Sequence, residues 1–145
     1  MSFVRLVAVV VALFTATAVM GAETIKGPIT AQVIRVVDGD TLEVEIQIWF
    51  DLNLTTSVRV LGVDTPETRG KCPAEVEAAK NASMFTFKAA PPGSLVRLHD
   101  VKPDKFAGRI DARVELTDGK WLAQTLIEAG LARPYEGDKR QSWCQ

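Results

Sequence analysis

At 145 residues and 47% hydrophobic, the chain holds one domain with a real core and shows no repeat or low-complexity tract of the kind that builds solenoids. Its 17 basic and 18 acidic side chains nearly cancel, so no global field draws in a polyanion, and an anionic substrate has to be held by a few well-placed arginines. The single histidine, His99, excludes a two-histidine acid–base mechanism, and with only two cysteines beside it a catalytic zinc site is a poor reading.

The first stretch, `MSFVRLVAVVVALFTATAVMGAET`, has Arg5 ahead of an uncharged, mostly apolar run of 17 residues from Leu6 to Ala22, followed by Glu23. It reads as a signal peptide spanning residues 1–22 and cut after Ala22, with Ala18 the second choice. A membrane anchor is the rival, because the run nears the roughly 18–20 residues that cross a bilayer. Cleavage leaves a domain of residues 23–145, exported to the periplasm or the medium and no longer held at a membrane. Export also places Cys72 and Cys144 in an oxidising compartment, where the pair is expected to bridge. Closing a loop over 72 positions stabilises by at most roughly 4 kcal/mol on the chain-entropy account and pins the C-terminal tail.

Along the mature chain, `ITAQVIRVV` (Ile29 to Val37) and `TLEVEIQIWF` (Thr41 to Phe50) alternate as strands, joined by a tight `DGD` turn. A polar loop at Asp51 to Thr55 leads to a third strand, `TSVRVLGV`, from Thr56 to Val63. Pro66 and Pro73 bracket a loop, after which Ala74 to Ala90 is rich in helix formers and sets Val76, Ala79, Ser83 and Phe87 on one stripe. Pro91-Pro92-Gly93 ends it. Strands at Leu95 to Val101 and Ile110 to Leu116 follow, then a turn at Asp118-Gly119 and a short helix from Trp121 to Ala129. This order, mainly β with helices (α+β), is that of a five-stranded OB-fold barrel with a helix between strands 3 and 4 and a short C-terminal helix. Such barrels bind nucleic acids and sugars, and fold alone does not choose between them.

The chemistry gathers at three turns. Asp38 and Asp40 flank Gly39, where each ionised carboxylate repels the other; a turn needs only one of them, and the second points to a cation. The third strand turns Arg59 and Leu61 to one side and Val60 to the other, then runs into `DTPE`, where Pro66 stiffens the loop holding Asp64 and Glu67. The later turn `DKFAGR` ends in Arg109.

Taken in this order over most of residues 29 to 135, `DGDT`, `R…VDTPE` and `DK…GR` resemble the staphylococcal-nuclease (thermonuclease) family. The resemblance implies a calcium-dependent phosphodiesterase that cleaves DNA and RNA with little regard to sequence. It implies Asp40 and Asp64 as calcium carboxylates, the Thr65 carbonyl as a third ligand and Asp38 as an outer-sphere carboxylate. Glu67 matches the residue that orients or deprotonates the attacking water, and Arg59 and Arg109 the pair that grips the phosphate. `DKFAGR` departs from the family in having Phe106 where tyrosine is common and one residue more before Gly108, which bears on the placing of Arg109. Lys105 and Tyr135 are further candidates for substrate contact.

The physical case agrees. Calcium takes hard oxygen ligands and keeps water in unfilled positions, so two carboxylates and a carbonyl leave room for a phosphate oxygen. Planar guanidinium groups can grip two phosphate oxygens at once and offset developing charge. The expected protein is a monomeric endonuclease acting on single-stranded or fraying nucleic acid. Two other classes stay open: an OB-fold nucleic-acid-binding module with weak or no catalysis, and an envelope-tethered exclusion or inhibitory factor.

Overall fold

The alternating stretches pair as strands because each leaves one apolar row to bury. The computed structural model describes residues 23–144; the signal-peptide reading of residues 1–22 lies outside them. β1 (Ile29–Asp38), β2 (Thr41–Trp49) and β3 (Leu52–Val60) form an antiparallel meander, and β4 (Gly62–Asp64) continues β3 after a break. Then come α1 (Pro73–Ala89), β5 (Leu95–Pro103), β6 (Arg109–Glu115), α2 (Leu122–Glu128) and β7 (Arg133–Tyr135). Around the closed barrel the order is β1-β2-β3-β6-β5, with β3 and β6 parallel, while β4 and β7 pair as a separate two-stranded sheet. This is the expected α+β, OB-fold-like barrel, with α1 between its third and fourth strands.

The inward rows are apolar. Leu42, Val44 and Ile46 of β2, Val58 and Val60 of β3, and Val96 and Leu98 of β5 are buried in one cluster with Leu122 and Leu126 of α2. Truncating one of these leucines to alanine costs about 2–5 kcal/mol.

Three local expectations need correction. The polar loop at 51–55 is mostly strand: β3 begins at Leu52, in register with Trp49, and the pairing runs unbroken in β3 to Arg59 opposite Thr41. Cross-strand hydrogen bonding outweighs the polarity of Asn53 and Thr55. Since β1 pairs only as far as Gln32 with Glu45 and β6 begins opposite Ser57, the far end of β2 and β3 projects as a ribbon that exposes Trp49, Phe50, Leu52 and Leu54. Second, the third strand does not run on to Val63, because Gly62 takes a φ of 84° and breaks it. The break turns β4 away to pair with β7. Third, the buried face of α1 is Glu75, Ala79, Ala82 and Thr86, while Phe87 faces solvent. Small side chains are needed there because the `DGD` turn passes close: Thr86 Oγ1 donates to the Gly39 carbonyl at 2.7 Å.

Candidate active site

The β1–β2 turn, the end of β3 and the loop after β4 meet at Asp40. Its Oδ1 accepts from the Thr41 hydroxyl at 3.1 Å, and its Oδ2 accepts the Thr65 N–H at 3.1 Å and pairs with Arg59 Nη1. The Asp40 carbonyl in turn accepts the Val60 N–H at 2.8 Å. Arg59 also donates to the Val63 carbonyl at 3.2 Å and lies 3.9 Å from Asp64 Oδ1, so one guanidinium bridges two carboxylates. Asp40, Asp64 and Thr65 are all buried. Arg59 turns outward and Val60 inward, as the alternation predicts.

Burial alone would push the Asp40 carboxyl up, but the Arg59 charge and hydrogen bonds hold it below the usual carboxylate range. Asp38 has no such partner. Burial first, and the neighbouring Asp40 second, push its carboxyl up to about 6. The two aspartates titrate as a pair, and a cation nearby removes the repulsion between them.

Glu67 stands on the loop before α1, more than half exposed. Beneath it, buried Glu75 accepts the backbone N–H of Glu67 at 3.4 Å and of Lys71 at 2.8 Å. Gly70 makes this possible, because a Cβ there would sit 2.5 Å from Glu75 Cγ. Cys72, at the start of α1, is joined to Cys144, with sulfurs 2.11 Å and Cα atoms 6.0 Å apart. Cys72, Glu75 and Cys144 also cluster within metal-ligand reach, but sulfurs bonded to each other offer no thiolate. That cluster is therefore a loop brace and not a cation site.

Arg109 pairs in register with Ser57, two residues from Arg59 on the neighbouring strand, so both arginines leave the barrel on the same outer side. Its Nε donates to Asp104 Oδ2 at 2.8 Å, and its guanidinium lies over the Phe106 ring at 4.9 Å. Burial would raise the Asp104 carboxyl, but this hydrogen bond holds it low. The altered `DKFAGR` turn thus keeps Arg109 at the site while tying it to its own turn.

One open cleft has Asp38, Asp40, Arg59, Thr65, Glu67 and Arg109 in its wall, with Lys105 and Tyr135 also lining it. Asp64 lies behind this wall. Tyr135 spends its hydroxyl on the Asp138 carbonyl at 2.8 Å, bracing the tail. His99 plays no part: Nε2 is 2.7 Å from Glu115 and its ring packs edge-on to Trp121.

Two residues that the sequence reading missed belong here. Arg140 donates from Nε to Asp64 Oδ1 at 2.5 Å, from Nη1 to Glu67 Oε1 and from Nη2 to the Thr65 carbonyl at 3.3 Å. Trp143 Nε1 donates to the other Asp64 oxygen at 3.2 Å. A signal was available: a Cys72–Cys144 bridge brings the tail to the loop beside Glu67, and Arg140 lies four residues before Cys144. The donor set also suits calcium. Asp40, Asp64 and the Thr65 carbonyl offer only oxygen, and the chain's own guanidinium groups already sit on all three, Arg59 on Asp40 and Arg140 on Asp64 and the Thr65 carbonyl.

Residues 57–143 match the family described as staphylococcal nuclease homologue. The chain belongs to that family. The matched region begins within β3 and takes in Arg59, Asp64, Glu67, Arg109 and Arg140, whereas Asp38 and Asp40 lie ahead of it and reach the same cleft through the fold. The chain is also 30% identical over 108 residues to an uncharacterised endonuclease of Escherichia coli. The similarity covers 74% of this chain and 62% of that relative's length.

Proposed function

We propose that this member of the staphylococcal nuclease family is a calcium-dependent endonuclease that hydrolyses phosphodiester bonds of DNA and RNA with little sequence preference. The observation that carries the reading is the convergence of Asp40, Arg59, Thr65, Glu67 and Arg109 on one cleft, backed by Asp64, from separate strands and loops. The endonuclease named among its relatives favours the same class.

Asp40, Asp64 and the Thr65 carbonyl would hold the calcium ion, with Asp38 outside them. Bound there, calcium supplies positive charge against a phosphate oxygen. Glu67, on the exposed lip, orients a water and takes its proton. Arg59 and Arg109 grip the phosphate and hold it more tightly as its charge builds. The cleft wall carries as many acidic as basic side chains, so a polyanion gains little there without the added dication. Reaching Arg59, whose side chain is 18% exposed, calls for a strand that can bend inward, which favours single-stranded or fraying substrate. The protein works as a monomer, exported by its leader to the periplasm or the medium.

The decisive experiment follows single-stranded DNA and RNA cleavage with calcium, with chelator and with zinc, in wild type, Glu67→Gln and Arg109→Lys. Calcium should support cleavage, and zinc should not restore it after chelation. Both variants should lose about 10²-fold or more in turnover, with native melting curves and nearly unchanged binding for Glu67→Gln. Binding without cleavage above the level of these variants would replace the enzyme with a binding module.

A further inference from the structure

The C-terminal tail brings a second guanidinium to a site where Arg59 of the barrel already bridges Asp40 and Asp64. Beyond β7 the chain turns back, braced by Tyr135 on the Asp138 carbonyl, by Arg133 stacked on Trp143 at 3.7 Å, and by Arg133 Nη1 donating to the Ser142 carbonyl at 3.0 Å. The Cys72–Cys144 link closes it. None of these braces uses the Arg140 side chain. That guanidinium contacts the Asp64 carboxylate, the Thr65 carbonyl and the Glu67 carboxylate. The first two are oxygens assigned above to calcium, and the third is the group assigned to the water.

A guanidinium and a dication repel each other and compete for the same lone pairs, so they do not share these oxygens. Buried Asp64 needs a cation in either state, because an unpaired buried carboxylate is costly. The Arg140 side chain is 39% exposed and reaches the site from the rim, so it can withdraw towards solvent without unpacking the barrel.

We propose that Arg140, beside Arg59 on Asp40, is a resident cation of this site: it holds Asp64, Thr65 and Glu67 while calcium is absent, and it must leave these oxygens for calcium to bind them. Arg140 thereby lowers the calcium affinity of the enzyme. The identity of the ion rests on the function proposed above, while the contacts stand on their own. Exclusion is reciprocal: whatever Arg140 adds to the metal-free protein, calcium has to displace.

The test is calorimetric titration of calcium into the purified, disulfide-intact protein without nucleic acid, comparing wild type, Arg140→Gln and Arg140→Lys. Arg140→Gln should bind calcium at least tenfold more tightly, and Arg140→Lys should fall between the two. In chelator Arg140→Gln should melt below wild type, and saturating calcium should close or reverse that gap, which a merely structural role would not do. Equal or weaker calcium binding by an Arg140→Gln protein that still unfolds in one cooperative transition overturns the competition and leaves the calcium reading standing. If none of the three proteins binds calcium, the calcium assignment falls and the competition with it.

Discussion

Gly39 stands between the two aspartates, yet its φ lies outside the left-handed region; space, and not backbone freedom, demands glycine there. A Cβ at this position would lie 2.8 Å from the Ala82 methyl and 3.0 Å from Thr65 Cγ2. Ala82 is fully buried in α1, and Thr65 both donates its N–H to Asp40 and directs its carbonyl to Arg140. Gly39→Ala therefore forces either the turn or the helix to give way. Overpacking of this kind costs about 1–3 kcal/mol, and lifting the turn separates Asp40 from Thr65. The cause is separable by Ala82→Gly, which alone costs about 1 kcal/mol of helix propensity. If the methyl clash is real, the double variant should be no less stable than Gly39→Ala, a coupling of about 1 kcal/mol or more in urea unfolding. Calcium affinity should fall in Gly39→Ala and recover in part in the double variant, where the Thr65 contact remains. A Gly39→Ala protein within about 0.5 kcal/mol of wild type, or a strictly additive double variant, would refute the reasoning.

Two further outcomes are expected. Native protein recovered without reductant should show no alkylatable thiol by mass analysis, and reduction should lower the melting temperature, since a link across 72 positions contributes up to roughly 4 kcal/mol on the chain-entropy account; two alkylatable thiols in the native protein would overturn the bridge. The Glu115 carboxyl is pulled from its ordinary 4.5 to about 2 by hydrogen bonds from Arg97 and then His99. A lowered folded value adds stability above the unfolded value and loses it as pH falls, so Glu115→Gln should melt below wild type at pH 7 and converge with it between about pH 4.5 and 2. A gap that stays constant to pH 2 would show that the ion pairs are not its source.

The barrel was legible in the sequence because inward and outward residues alternate with a period of two, and burying the apolar row leaves little choice of register. The residues that line the cleft, from Asp40 through Arg109, could be picked out because turn and loop motifs keep their residues whatever they pack against. Other features depended on partners distant in the chain. The buried face of α1 follows from how closely the `DGD` turn approaches, which periodicity cannot express, and the ribbon beyond Gln32 and Ser57 follows from where neighbouring strands stop pairing. Above all, Arg140 lies 76 residues from Asp64 in a polar tail without periodicity. Only the return of that tail, held by the Cys72–Cys144 link and by Trp143 on Asp64, decides that its charge falls on the oxygens of the site.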